Sequence, residues 1–290
     1  MARNGLPWTM EYPSPNAVVV NIPLTKEGDE HWTLMSADRH IDNPHSNQDL
    51  QKKHLDQVVE RAGSCLDCGD VFCAMQGKYD KRSSKSTVRP EHQHGDYLDR
   101  LVSTTSDFFQ PYANHIIAIG SGNHEQSIYQ KHETHILDRM IERINDRTGS
   151  RIPHSRYTGW VVFKFRLSKT NTQVKRLWYM HGYGGGGPVT QDTIQAQRQK
   201  VYVENADVMF SGHTHDAWAQ NTVRLRLNQE YEVEKRNVWY VKGCTYKDEY
   251  GDGKGGWHVE TGKPPKPIGA WWLRSYLEGA KVRQQVVFAE

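Results

Sequence analysis

Cysteine is scarce in this chain, with 4 residues among 290, which is too few to predict a disulfide framework. Long apolar runs are lacking too. No stretch approaches the roughly 18 residues of a membrane-spanning helix, and the mean hydropathy is −0.80. The N-terminal segment has no apolar region of the kind that marks a secretory signal. These absences predict a cytoplasmic protein that has no membrane partner.

An excess of charge of one sign is lacking as well. The formal net charge is +3 and the pI is near 8.5. This imbalance is too small to predict a dedicated nucleic-acid-binding protein, although it does not exclude an acidic substrate. The chain is instead rich in histidine, with 15 residues, and in tryptophan, with 9. Because histidine is the commonest metal ligand, histidines that cluster with carboxylates would indicate a metal site.

Hydrophobic periodicity predicts a layered α/β sandwich with mixed sheets. Helices are expected over residues 47–61, 97–109, 127–147 and 191–202, and strands over 31–37, 64–66, 116–119, 161–167, 177–180 and 208–210. From residue 222 onward the alternation predicts mostly β-structure. We expect one domain over 1–290, composed of an N-terminal surface arm (1–30), a motif-bearing core (31–220) and a β-rich completion (221–290) interrupted by a Gly/Pro/Lys-rich loop at 251–269.

Five of the predicted strands are followed by residues that bind divalent cations. These residues are Asp38 and His40, then Asp70, then Asn123, then His181, and finally His213 and His215. Because the carboxyl ends of strands in open α/β sheets form the ligand crevice, we expect these side chains to converge. Carboxylates, an amide oxygen and imidazoles supply oxygen and nitrogen donors without thiolate, a set that suits manganese, iron or zinc.

Such a donor set suits phosphoester hydrolysis. The reaction needs a nucleophilic oxygen in line with the leaving group and neutralisation of charge on the phosphoryl oxygens. Two cations roughly 3.5–4 Å apart do both, because they also lower the pKa of a bridging water. Holding two cations that close together requires a bridging carboxylate.

The blocks Asp-x-His, Gly-Asp, Gly-Asn-His-Glu, His-Gly and Gly-His-Thr-His occur in this order between Asp38 and His215. Together they resemble the calcineurin-like metallophosphoesterase superfamily. Each block is weak alone, and the ordered set is specific. The resemblance implies a four-layer α/β/β/α sandwich with two mixed β-sheets and a two-metal site at the carboxyl ends of strands. It implies two divalent ions, manganese first, with iron, zinc or nickel as alternatives.

The same resemblance assigns roles to individual residues. It implies one ion held by Asp38, His40, Asp70 and His215, and a second held by Asp70, Asn123, His181 and His213. Asp70 would therefore bridge the two ions. His124 resembles the family's general acid, which protonates the leaving oxygen. Glu125 is placed either to orient His124 or to cap the helix that follows.

The chain departs from the protein-phosphatase branch of the family, which reads Gly-Asp-x-x-Asp-Arg-Gly. Here Cys73 and Ala74 stand where that branch has Asp and Arg. The resemblance is closer to the bacterial and phage-type nuclease and phosphodiesterase branches. It implies hydrolysis of phosphodiesters, nucleotide or nucleic acid, by metal-bound hydroxide. A phosphomonoesterase acting on small molecules or proteins, and a metal-binding scaffold without turnover, are the alternatives.

Several features have two explanations each. The Asp and His residues of the five blocks could be turn and cap residues, although this does not account for Gly-Asn-His-Glu and Gly-His-Thr-His together. The basic segment 78–89 is either a solvated loop or a clamp on a substrate backbone. Cys65 and Cys68 are expected to be small core residues, and Cys73 either packs or lines the site. Trp257, Trp271 and Trp272 either pack at the β edge or stack on bases.

Overall fold

The computed structural model describes residues 5–74, 88–251, 253 and 255–289. Their strands are β1 (Thr9–Ser14), β2 (Ala17–Pro23), β3 (Glu30–Ser36), β4 (Ser64–Asp67), β5 (Ile116–Ile119), β6 (Thr158–Arg166), β7 (Thr172–Met180), β8 (Val208–Ser211), β9 (Trp218–Leu227), β10 (Val233–Lys242), β11 (Ala270–Glu278) and β12 (Lys281–Ala289). Their helices are α1 (Gln48–Glu60), α2 (Tyr97–Phe109), α3 (Asn123–His132), α4 (Ile136–Thr148), α5 (Thr193–Tyr202) and the one-turn α6 (Trp257–Glu260).

The strands form two mixed sheets, as predicted. A seven-stranded sheet has the order β1-β2-β6-β7-β8-β10-β9, and a five-stranded sheet has the order β12-β11-β3-β4-β5. In the smaller sheet β3, β4 and β5 run parallel, and in the larger sheet β7 and β8 run parallel. Parallel neighbours bring their carboxyl ends to one edge of a sheet, where the motif-bearing loops begin.

Alternation along the strands places two cores on opposite faces of the five-stranded sheet. Leu34 and Cys65 face a core that also contains residues of α1, α2 and α4. Their neighbours Met35 and Leu66 face the seven-stranded sheet and pack in a second core. The period of two residues along a strand explains this division. A smaller apolar cluster lies on the other face of the seven-stranded sheet, next to α5. The complete four-layer sandwich stays a prediction.

The predicted surface arm over residues 1–30 is wrong where the chain is described. Residues 9–23 form β1 and β2, and β2 pairs in parallel with β6. Val18, Val20 and Ile22 are buried, and Trp8 just before β1 is fully buried. Pro15 and Pro23 lie at the ends of the apolar run, and Pro13 lies in the edge strand β1, where the pairing with β2 shifts register. These prolines therefore do not interrupt the pairing of β2 with β6.

The predicted helix over 127–147 is also wrong in its continuity. The chain forms two helices, α3 and α4, separated at Glu133, whose φ of 52° is left-handed. The rings of Tyr129 and His135 stack across the break with centroids 4.0 Å apart. The other helices were predicted well. Asn47 caps α1 by accepting a hydrogen bond from the Leu50 N–H at 3.0 Å. No helix in the described part of the chain is long and apolar enough to cross a membrane.

Candidate metal centre

Among the described residues, three groups of side chains at the sheet edges bring potential metal ligands together. One of them, His40, Cys73 and His124, shares His40 with the first of the two groups that match the predicted ligands. The first, the Asp38 group, consists of Asp38, His40 and His215. The second, the Asp70 group, consists of Asp70, His181 and His213, with Asn123 beside them. In each trio one ligand atom from every member lies within 4.8 Å of the others. The loops after five strands therefore converge, as the sequence predicts.

The Asp38 group has the dimensions of a cation site. Nε2 of His215 lies 3.3 Å from Asp38 Oδ1 and 3.2 Å from Nε2 of His40. Ligands about 2.1 Å from one ion are about 3.0–3.4 Å from each other. Asp38 Oδ1 is buried and has no hydrogen-bond partner among the described residues. A buried carboxylate oxygen without a partner is costly unless a cation neutralises it, so this group fits a divalent ion.

In the Asp70 group, the hydrogen bonds of the histidines decide which ring nitrogen faces the ligands. Nδ1 of His181 lies 3.1 Å from the carbonyl oxygen of Cys68, and Nε2 of His213 lies 2.8 Å from that of Gly184. Carbonyls only accept, so these nitrogens carry the protons. The opposite nitrogens then face Asn123 Oδ1, at 3.1 Å from His181 and 2.7 Å from His213. When both imidazoles are neutral, three lone pairs are directed at one another, and this arrangement fits a cation among them.

Each group takes ligands from both sheets. Asp38 and His40 follow β3 and Asp70 follows β4, both in the five-stranded sheet, whereas His213 and His215 follow β8 of the other sheet. The groups also contact each other, because Asp38 Oδ2 accepts a hydrogen bond from the His213 N–H at 2.8 Å. The candidate centre therefore lies where the edges of the two sheets meet.

The electrostatics of the Asp70 group favour a positive ion. Burial alone would lower the pKa of His181, but the Asp70 carboxylate, 3.2 Å from its Nε2, outweighs burial and raises that pKa to about 9. Burial would raise the pKa of Asp70, but His181 and His124 hold it well below its usual range. A proton on His181 thus senses a strongly negative potential at this position. In the Asp38 group, burial and then His124 lower the pKa of His40 well below normal.

The backbone at the ligands is unusual. Asp38, His40, Asp70, His213 and His215 all have positive φ, between 45° and 79°. Non-glycine residues seldom adopt this region, at a cost of about 1–2 kcal/mol each. Their shared conformation turns successive side chains out of the strand ends toward one place. Asp and His are several-fold enriched among non-glycine residues with positive φ but seldom adopt it, so their presence in the blocks does not by itself predict this feature.

Two glycines let the backbone approach the ligands. A Cβ on Gly122 would lie 1.9 Å from Asp70 Oδ1, and one on Gly212 would lie 2.5 Å from Asp38 Oδ2. Any side chain at either position would collide with a carboxylate of the candidate centre. The glycines of the Gly-Asn-His-Glu and Gly-His-Thr-His blocks are therefore explained by space.

His124 lies beside both groups and its ring is mostly buried. Its Nε2 is 3.8 Å from Asp70 Oδ2, its ring is in edge contact with that of His40, and its N–H donates to Asp70 Oδ1 at 2.9 Å. Nδ1 lies 2.5 Å from the carbonyl oxygen of Cys73. The outward nitrogen of His124 thus faces the centre without belonging to the Asp38 group or the Asp70 group, although His124 forms a third trio of potential ligands with His40 and Cys73. A place beside the two groups is the position a proton donor requires.

Glu125 makes its hydrogen bonds with the backbone. Its carboxylate accepts from the N–H groups of Gly122 at 2.7 Å, Asp70 at 3.1 Å and Phe72 at 3.0 Å. It therefore caps α3 and ties the Gly-Asp loop to that helix, which favours the capping alternative over direct orientation of His124. Burial, followed by the Asp70 charge, raises the pKa of Glu125 to about 8.

Sequence reasoning missed several buried polar partners that hold these loops. Arg39 is fully buried and its Nε donates to Asp67 Oδ2 at 2.6 Å. Ser121 Oγ lies 2.6 Å from His154 Nε2, and His154 Nδ1 contacts Asp138 of α4, which connects the loop before Asn123 to a helix. The only sequence signal for such partners is a charged residue within an apolar pattern. This signal does not indicate which residue pairs with the charge.

The remaining sequence predictions concern a basic segment, the cysteines and three tryptophans. Lys78, Lys81, Arg82 and Lys85 of the basic segment lie outside the described residues, whereas Arg89 donates to backbone carbonyls of Ile41 and Ser46. Cys65, Cys68, Cys73 and Cys244 are all buried and unpaired by disulfides, and core packing of the first two is confirmed. Trp272 packs in the core and Trp271 donates to the Lys242 carbonyl, but Trp257 is exposed.

Comparison with known proteins yields distant structural similarities only. No protein-family model matches the chain, and no curated protein matches it. Vacuolar protein sorting 29 from Cryptosporidium parvum is 12% identical with a TM-score of 0.35, and the alignment covers 91% of this chain and 98% of that one. Vps29 from Chaetomium thermophilum is 11% identical with a TM-score of 0.35, covering 89% and 94%. GAP50, the anchor in the inner membrane complex of Plasmodium, is 10% identical with a TM-score of 0.43, covering 90% and 85%. At these values the similarities assign no function.

Proposed function

We propose that this chain is a metal-dependent phosphoesterase that uses two divalent cations. The observation that carries the proposal is the pairing of the Asp38 group and the Asp70 group at one sheet edge, with His124 beside both. One group alone would be an ordinary metal site. Two adjacent groups with a potential proton donor match the requirements of phosphoester hydrolysis.

The residues of the two groups and His124 have distinct proposed roles. Asp38, His40 and His215 would hold one ion, and Asp70, Asn123, His181 and His213 would hold the other. The resemblance of the Gly-Asp block adds Asp70 as a ligand of the first ion as well. When bound, the two cations supply activation of water and neutralisation of phosphoryl charge. His124 donates a proton from Nε2 to the leaving oxygen, since its Nδ1 is engaged by the Cys73 carbonyl. Manganese is the first choice of metal, and iron, zinc and nickel suit the same oxygen and nitrogen donors.

Phosphodiesters, either nucleotides or nucleic acids, are the proposed substrate class. The support is the resemblance of the five blocks to the bacterial and phage-type nuclease and phosphodiesterase branches, together with the absence of Asp and Arg at positions 73 and 74. An arginine after the Gly-Asp block would give a bidentate clamp for a terminal phosphate, and Ala74 cannot act in this way. A monoesterase and a scaffold without turnover are the competing functions.

A substrate pair distinguishes these functions. The protein is assayed on bis-p-nitrophenyl phosphate and on p-nitrophenyl phosphate, each with manganese and with a chelator. Preference for the diester, abolished by the chelator, is the expected result. Preference for the monoester would support the phosphomonoesterase. Binding of metal without hydrolysis of either ester, across manganese, iron, zinc and nickel, would refute catalysis and support the scaffold.

A further inference from the structure

The ring of His124 is held by a peptide group that is itself held by a buried carboxylate. The Cys73 carbonyl oxygen accepts a hydrogen bond from His124 Nδ1 at 2.5 Å. The nitrogen of the same peptide belongs to Ala74, and its N–H donates to Asp42 Oδ2 at 2.8 Å. The Asp42 carboxylate, the 73–74 peptide and the His124 imidazole therefore form a continuous chain of hydrogen bonds.

Asp42 is placed to determine the orientation of this peptide. Its side chain is buried, its Oδ1 accepts from the Cys73 N–H at 2.5 Å, and its Oδ2 also accepts from the Tyr97 hydroxyl at 2.5 Å. The carboxylate thus grips two consecutive backbone amides. Because a peptide is planar, fixing its N–H direction also fixes the direction of its carbonyl.

The 73–74 peptide needs such a holder because its conformation is unfavourable. Ala74 has a φ of 47°, in the left-handed region that costs an L-residue about 1–2 kcal/mol. Without the two bonds to Asp42, the chain would gain free energy by rotating the peptide, and the carbonyl would turn away from His124. Hydrogen bonds to a charged carboxylate are about twice as strong as neutral ones, which is enough to oppose that rotation.

We propose that Asp42 is a positioning residue that acts on His124 through the 73–74 peptide. The polarised peptide keeps the proton of the neutral imidazole on Nδ1 and leaves Nε2 directed at the candidate centre. A carboxylate polarises the carbonyl at the other end of the peptide, because hydrogen bonds in a chain strengthen one another. The consequence for catalysis rests on the proposed function, whereas the consequence for the imidazole tautomer does not.

Nuclear magnetic resonance of the metal-free protein tests the arrangement without turnover. In protein labelled with ¹⁵N-histidine, at a pH where His124 is neutral, the ring nitrogen shifts identify which nitrogen carries the proton. The His124 signals are assigned by their loss in His124→Ala. The unaltered protein is expected to show the Nδ1–H form. Predominance of the Nε2–H form there would overturn the proposal, even if no Asp42 variant folds.

Two variants distinguish the effect of Asp42 on the 73–74 peptide from the effect of its hydrogen bond with Tyr97. Asp42→Asn removes the charge and one acceptor, so the Nδ1–H form of His124 is expected to decrease. Hydrolysis of a diester with a poor leaving group is expected to fall about tenfold or more, part of the 10²–10⁴ that general acid catalysis supplies. A p-nitrophenyl diester should be affected less. Tyr97→Phe is the matched control, since it removes a bond to the same carboxylate but none to the peptide.

The outcomes are distinguishable. A folded Asp42→Asn protein with an unchanged tautomer, or with equal losses on both leaving groups, would overturn the role of Asp42. If Tyr97→Phe changed the His124 tautomer or the rate as much as Asp42→Asn does, the role would also be overturned. The carboxylate would then stabilise the surrounding structure and would not act specifically through the 73–74 peptide. If the unaltered protein hydrolyses no phosphoester, the proposed function fails, and the tautomer measurements still decide the positioning role.

Discussion

Replacement of Gly122 with alanine tests the candidate centre, because the added methyl group would collide with Asp70. An alanine Cβ would lie 1.9 Å from Asp70 Oδ1, where real Cβ contacts are not closer than 3.0 Å. The same Cβ would lie 2.5 Å from the backbone nitrogen of Asp70. The carboxylate must therefore move by about 1 Å and the Asp70 backbone must shift as well, and such displacements can lower a catalysed rate about 10²-fold. Gly122 itself has φ −106° and ψ −171°, which is extended backbone that alanine adopts without strain. The effect should come entirely from the contact with Asp70.

The structure also limits how Asp70 can respond. Its side chain is buried, and Oδ1 is tied to the His124 N–H, so it cannot swing into solvent. We expect an overpacking cost of about 1–3 kcal/mol in the free energy of unfolding. Manganese per chain and diesterase activity should fall together.

Three measurements follow from this expectation: metal content after loading and desalting, kcat on a diester, and the unfolding free energy from denaturant titration. Gly95→Ala is the matched control, because no atom lies within 4 Å of a Cβ built there, and it should match the unaltered protein. Normal metal content and rate in a folded Gly122→Ala protein would refute the placement of Asp70 between the cations.

The remaining predictions concern single histidines. His124→Ala should retain metal and lose about 10²–10⁴ in rate on a diester with a poor leaving group, and less on a p-nitrophenyl diester; loss of metal would make it a ligand instead. His213→Ala should lose metal and activity on both substrates alike, as measured by metal analysis alongside the assays. His31 is buried, and burial followed by the nearby His115 lowers its pKa to about 3. The stability it contributes is present above the unfolded pKa of about 6.5 and is lost as the pH falls toward 3, by up to about 1.4 kcal/mol per pH unit. The stability of the unaltered protein relative to His31→Gln should therefore decrease between pH 7 and pH 5, and a constant difference would contradict the reasoning.

Local patterns predicted the elements that local interactions determine. The apolar spacing of α1 and its Asn47 cap are both within one helix, and α2 was predicted with its observed bounds because its buried residues recur at helical intervals. The candidate ligands were found for a related reason. Each stands just after a buried strand, and parallel strands must end at a common edge.

The errors arose where distant parts of the chain decide the structure. The valines of β2 pair with β6, more than a hundred residues later, and no local signal shows that partner. The break between α3 and α4 falls at a glutamate, with neither glycine nor proline to mark it. Asp42 was missed because its partners are backbone amides at 73 and 74. A sequence records which side chains are present and does not record which amides they will face.

The candidate ligands come from both sheets, so an ion bound at the candidate centre would cross-link the sheets. His40 and His215 stand 175 positions apart in the chain, on loops from different sheets. An ion bound by both would join the sheets at one edge, and this bond would be lost on unfolding. Binding to the folded state alone stabilises it by about 4.1 kcal/mol when the free metal is at 1,000 times its Kd. The melting temperature of this protein is accordingly expected to rise with metal concentration, so that the supply of metal would set the stability of the fold.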